Sequence, residues 1–229
     1  MLSFLLAHPV CAQYEFNAWR FGSNAGLLFP ATPASGPPQP DGSSFFAIEG
    51  CASIADSAGN LLLYTNAEQV YSRSGVQLSG GQLGSGGSNA VQGAILLKHP
   101  GPAHQYLLFK VDEAQNLFVG GLRYTSIEMA SNGLAGRLVF PLPHLLTPAG
   151  YLVTEAMTAI RHANGADYWV IVHGYLNREF LSYHITEAGP EPVPVRSVVG
   201  SYHGFTNPGC PMRGSPDGHQ LAIGLPGGA

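Results

Sequence analysis

One pattern of polar and apolar positions recurs along this chain: a strand that mixes the two, a turn containing glycine, then a strongly apolar or aromatic strand. The first copy reads Glu49-Gly50-Cys51-Ala52-Ser53-Ile54-Ala55-Asp56, turns at Ser57-Ala58-Gly59-Asn60 and continues as Leu61-Leu62-Leu63-Tyr64-Thr65. In the second, Val91 to Leu97 leads through Pro100-Gly101-Pro102 to Tyr106-Leu107-Leu108-Phe109-Lys110-Val111. The third joins Glu155 to Ile160, through Ala163-Asn164-Gly165, to Tyr168-Trp169-Val170-Ile171-Val172. The fourth is Cys210 to Gly214, the turn Ser215-Pro216-Asp217-Gly218, and Leu221-Ala222-Ile223. Asn-Gly and Asp-Gly supply the positive φ of a tight turn, so each copy predicts a hairpin.

Further strand-like runs follow the first three copies. Examples are Leu117-Phe118-Val119 through Tyr124 to Ile127, then Arg137 to Phe140, and later Phe180 to Ile185, then Val193 to Val199. Four strands per unit, at a spacing near or above the roughly 40 to 50 residues of a propeller blade, predict an all-β chain built as a β-propeller of four-stranded blades. A β-sandwich is the competing architecture, but it does not require the same text to recur. The expected blades are 44–89, 90–146, 151–200 and an incomplete 207–229. That is about three and a half, and it predicts a fragment of a larger ring. Ala18-Trp19-Arg20-Phe21-Gly22 is expected to serve as the outer strand of the last blade. Phe29 to Gly42 reads as an extended loop, and the Gly/Ser-rich run from Gly75 to Ser88 as a flexible connector.

Composition agrees with short strands and tight turns. Hydrophobic residues make up 45% of the chain and charged ones 10%, with 30 glycines and 18 prolines. The net charge of −4 comes from scattered residues, which leaves no basic footprint for nucleic acid. The apolar start and Val10-Cys11-Ala12 read as the remnant of an export signal over residues 1–12, with 13–229 as the mature chain. No stretch approaches the roughly 20 apolar residues of a transmembrane helix. Export permits a bridge between Cys51 and Cys210, yet two free or buried thiols are the preferred reading.

Several segments together resemble a known family. They are Asn17 to Phe29, Glu49 to Asp56 with Gly59 to Thr65, His162-Ala163-Asn164-Gly165-Ala166-Asp167-Tyr168-Trp169-Val170-Ile171, and Ser215-Pro216-Asp217-Gly218. They resemble the amino-terminal propeller of large secreted Bacteroidetes proteins described as gliding-motility-associated or PKD-domain proteins. The resemblance implies a ring of about seven blades, followed by PKD modules and a sorting domain for type IX secretion. It brings no catalytic residues.

Candidate chemistry is sparse. Glu49 and Glu155 share one offset before their turn glycines, so on innermost strands both carboxylates are expected near the rim of a central channel. There they would bind Ca²⁺, or act as acid and base on a glycosidic bond. The histidines, among them His99, His162, His173, His184 and His203, form no H-E-x-x-H or H-x-H cluster, and no metal site is expected from them. No G-x-S-x-G or phosphate-cradling motif occurs. The expected function is a noncatalytic, secreted or cell-surface propeller that binds polysaccharide or a cell-surface protein in adhesion or assembly. The alternative is a carbohydrate-active hydrolase or lyase working at the channel mouth.

Overall fold

The computed structural model describes residues 14–30 and 36–225; the export-signal remnant lies outside them. The chain is all-β, with no α-helix among the described residues. Its first strands are β1 (Ala18–Phe21), β2 (Ala25–Leu28) and β3 (Gln39–Pro40), which pair antiparallel in one small sheet. The next four are β4 (Ala52–Ala55), β5 (Leu61–Thr65), β6 (Gln69–Ser72) and β7 (Gln77–Gln82), an antiparallel meander. A second meander is formed by β8 (Ala94–Lys98), β9 (Gln105–Val111), β10 (Leu122–Met129) and β11 (Gly136–Leu138), with β12 (His144–Leu145) added to β10. A parallel bridge, Arg137 to Ser79, joins β11 to β7. All nine strands thus belong to one sheet, which curls until its end strands β4 and β8 lie against each other.

The third meander is β13 (Val153–Arg161), β14 (Tyr168–Gly174) and β15 (Asn177–Thr186), with β16 (Gly189–Pro190) and β17 (Val195–His203) both on β15. A last hairpin pairs β18 (Met212–Gly214) with β19 (Leu221–Ile223). The four repeated texts therefore are four antiparallel hairpins, β4–β5, β8–β9, β13–β14 and β18–β19. The leading strands also lie in chain order: β1 packs against β4, β4 against β8, β8 against β13 and β13 against β18.

The turns follow from their residues, with one exception. Gly59, Gly165 and Gly218 take the positive φ expected of them. Asp56 caps its own turn by accepting the Ala58 and Asn60 amides, and Asn164 accepts those of Ala166 and Asp167. In the second hairpin Gly101 is not left-handed; His104 is, at φ 59°. The two prolines restrict the start of that turn, and the reversal falls to the residue just before β9.

Four expectations are corrected. Leu117-Phe118-Val119 is a turn and not a strand, because Leu117 and Phe118 are left-handed and close a single 3₁₀ turn after Asp112. Part of the Gly75–Ser88 run is strand β7, and the remainder is tightly bonded, as described below. The Ala18–Phe21 strand opens a separate sheet beside β4, where Ser53 Oγ donates to Ala18 O and accepts the Arg20 amide. Gln39–Pro40, read as loop, adds to β2.

Alternation explains how the sheets pack. On β9, Tyr106 and Leu108 join Ile54, Leu62, Leu63 and Val70 of the first meander, while Leu107, Phe109 and Val111 join Val153, Met157, Val170 and Val172 of the third. On β14, Val170 and Val172 face β9, whereas Ile171 packs with Met212 of the last hairpin. Leu61 and Tyr64 of β5 meet Ala18 of the small sheet and Phe45 of the segment that follows it. The inner strands β5, β9 and β14 are thus buried on both faces, while the outer strands β7 and β17 stay largely exposed.

At one end of β14, His173 and His203 are fully buried with ring centroids 3.9 Å apart. His173 Nδ1 bonds Gly174 O at 2.7 Å, but His173 Nε2 and both nitrogens of His203 have no protein partner. Burial, and behind it the adjacent His203, push the His173 imidazole down to about 4, and burial lowers His203 too. Below about pH 6.5 the unfolded chain protonates these rings while the folded chain does not, so their contribution is fully present above that pH and is lost on acidification towards 4. His173 alone should lower the free energy of unfolding by about 2 kcal/mol between about pH 7 and pH 5. Urea unfolding at both pH values should show a smaller drop in the His173→Leu/His203→Leu double variant; an equal drop would contradict this account.

Candidate functional site

The two carboxylates singled out from the sequence have different fates. Glu155 sits on β13 and is 4% exposed. Its Oε2 accepts the Val91 amide at 3.1 Å and its Oε1 the Ala114 amide at 2.9 Å. Both oxygens are therefore committed to backbone donors of the second meander's loops, which a cation or a glycosidic oxygen would have to displace. Glu49 is exposed and precedes β4, with its amide bonded to Ser88 O. No hydrogen bond or common partner joins the two side chains.

Glu155 belongs to a wider set of charges around the loop from Gly84 to Gly93. Glu113 Oε2 accepts the Gly87 and Asn89 amides at 3.1 and 3.0 Å, and Ser88 Oγ donates to Glu68. Lys110, buried and pushed down to about 8 by that burial, donates to Gly84 O and Ser85 O. Gln92 reaches two leading strands at once: its Oε1 accepts the Met157 and Met212 amides, and its Nε2 donates to Met212 O. Gly50, Gly87 and Gly93 meet so closely that a Cβ on Gly50 or Gly93 would collide with Gly87 O, which explains glycine at these positions. These groups hold sheets together and leave no open catalytic pair.

Cys51 and Cys210 are free thiols, as preferred from the sequence. Burial pushes both up, which leaves them poor nucleophiles.

Three surface features remain. A hollow of about 180 Å³ is lined by Phe46, Tyr71, Asn66 and Gln69 among others. Its amides are occupied by neighbours, since Asn66 Oδ1 accepts the Gln69 amide and Gln69 Oε1 accepts Tyr71 OH. A second feature is apolar. The rings of Phe118, Tyr175 and Phe205 form a chain, with centroids 4.5 and 5.8 Å apart, and Phe205 is 83% exposed. Leu176 and Tyr202, both exposed, lie against Gly204 beside it, and exposed Leu117 and Val119 flank Phe118 in the chain. Leu117, Phe118 and Leu176 all take positive φ, a conformation bulky residues adopt at a cost.

The third feature is a cluster of His162, Asp167 and His184, whose ligand atoms lie within 4.8 Å of one another. The sequence alone leads to no metal site at these histidines, because no linear spacing links them. The register is what unites them: Trp169 pairs with His184 across β14 and β15, and the Asn164 turn brings Asp167 and His162 to the same end.

Glu155→Ala should destabilise the chain by about 2–4 kcal/mol, as two buried amides lose a charged acceptor, while Glu49→Ala should stay within about 0.5 kcal/mol. Chemical denaturation checks both, and equal, small effects would contradict the assignment. No protein-family model, curated protein or solved structure matches the chain.

Proposed function

We propose that the chain is a noncatalytic binding module of propeller type that acts in adhesion or assembly outside the cell or on its surface. The leading strands β1, β4, β8, β13 and β18, each against the next, support reading the meanders as successive blades. The two-faced burial of β9 and β14 supports it too. Secretion is supported by the apolar leader and by the resemblance to the propellers of exported Bacteroidetes proteins. Among the described residues no helix is long and apolar enough to cross a membrane.

The observation that carries the binding reading is the apolar surface of Phe205, Tyr202, Leu176 and the underlying Tyr175 and Phe118. Loops of two successive meanders meet there, and exposed apolar surface of this kind marks contact sites. Its aliphatic and aromatic make-up, without a charged rim residue in the ring chain, suits a protein partner better than a sugar polymer. The hydrolase reading is disfavoured by Glu155, whose oxygens are taken up by backbone amides.

Fluorescently labelled chain should bind saturably to cells of the organism that encodes it, and protease treatment of those cells should remove the binding. Phe205→Ser with Leu176→Ser should reduce it by about tenfold or more while leaving stability nearly unchanged, since both side chains are exposed. Binding that survives both the protease and the substitutions would overturn this reading, and retention on immobilised polysaccharide would favour a sugar ligand instead.

A further inference from the structure

The end of the third meander carries a donor set that neither a packing role nor the apolar surface uses. His184 is stacked on Trp169, with ring centroids 4.9 Å apart at 28°, and has a carboxylate at each ring nitrogen. Nε2 lies 3.0 Å from Asp167 Oδ2, and Nδ1 lies 3.4 Å from Glu191 Oε1. A neutral imidazole has one N–H, so it can satisfy only one of these oxygens. A neutral ring therefore leaves one of the two carboxylates without a ring donor, and a cation between Nε2 and Asp167 would supply its partner.

His162 completes the arrangement from the turn. Its Nδ1 accepts the Asn164 amide at 3.2 Å, which fixes the ring and leaves Nε2 outside that bond. Its ring stands 4.9 Å from that of His184. Asp167 is positioned in turn by Asn164 Nδ2, which donates to the same Oδ2 at 2.8 Å. All three ligand residues are half-buried, so a bound ion would keep an open face towards solvent.

We propose that His162, Asp167 and His184 form a binding site for a borderline divalent transition metal of the Zn²⁺ class, with Glu191 as the outer carboxylate that holds His184. Two imidazole nitrogens and one carboxylate suit Zn²⁺, Cu²⁺ or Ni²⁺, and would be a poor set for Ca²⁺ or Mg²⁺, which take oxygen. Glu191 accepting the Nδ1–H would set the tautomer that frees Nε2 for the ion, the usual outer-carboxylate role. The ion would then sit between Nε2 and Asp167 Oδ2, with His184 in its neutral Nδ1–H tautomer. The remaining positions on the ion would be filled by water or by a donor from a ligand. The site lies within one meander and does not depend on how the meanders are arranged.

Titration of the intact chain with Zn²⁺ alone should give one saturable site by calorimetry. His162→Gln and His184→Gln should each remove it. Glu191→Gln should weaken it about tenfold or more, and His219→Gln, in the exposed β18–β19 turn, should leave it intact. The unmodified chain loaded with one equivalent of Cu²⁺ should show two nitrogen ligands by electron paramagnetic resonance, and the ion should quench Trp169 fluorescence in a Trp19→Phe background. These two measurements do not rely on the histidine variants folding. No saturable Zn²⁺ site, a Cu²⁺ spectrum without two nitrogens, or full affinity in folded His162→Gln and His184→Gln would each overturn the proposal.

Discussion

Backbone amides on a strand edge that faces other protein rather than water must find acceptors, and that requirement organises the middle of this molecule. The leading strands lie against one another by their edges and faces, not as paired neighbours in a ladder, so their polar groups need partners from outside the sheet. The loop from Gly84 to Gly93 supplies them and is itself held in the same way. Glu113 and Glu155 accept its amides, Lys110 donates to its carbonyls, and Gln92 bonds the facing edges of β13 and β18. A buried carboxylate that accepts two N–H groups is a strong acceptor. Removing it leaves unsatisfied donors whose cost exceeds what any single apolar contact nearby contributes.

Apolar burial then acts between meanders rather than within them. A twisted sheet has two faces, and in this chain both are apolar on β9 and β14, so neither sheet is stable with one face in water. Stacking in chain order solves this, and it leaves parts of the end turns, such as Leu117, Leu176 and Phe205, exposed. Both candidate sites lie there. The apolar surface is built on loops of the second and third meanders, and the His162–Asp167–His184 cluster on the turn of the third. A rigid stack with chemistry confined to its end loops is the arrangement expected of a binding scaffold.

The hairpins were legible because their information is local: alternation, a turn glycine and an apolar second strand all fall within 14 to 21 residues. Gly59, Gly165 and Gly218 could be read directly, whereas the left-handed His104 could not, since two prolines moved the reversal off the glycine that marked it. Leu117-Phe118-Val119 has strand composition and becomes a turn because Asp112 captures the Gly120 amide and the Asn116 side chain, folding the segment back. The Gly/Ser run looked flexible for its lack of side chains, yet that lack is what lets the backbones of Gly50, Gly87 and Gly93 approach. Glu155 and Glu49 share an offset in sequence, but burial separates their roles, and burial depends on loops far away in the chain. The His162–Asp167–His184 cluster has a partial signal in His162 and Asp167 flanking one turn, while His184 joins only through strand register.

Amide hydrogen exchange on the intact chain addresses the central claim most directly. If carboxylates and leading strands hold the Gly84–Gly93 loop as described, the amides of Gly87, Asn89, Val91 and Ala114 will exchange as slowly as those of β9 and β14. Exchange of these four at the rate of an open glycine-serine linker, with the strands still protected, would contradict it.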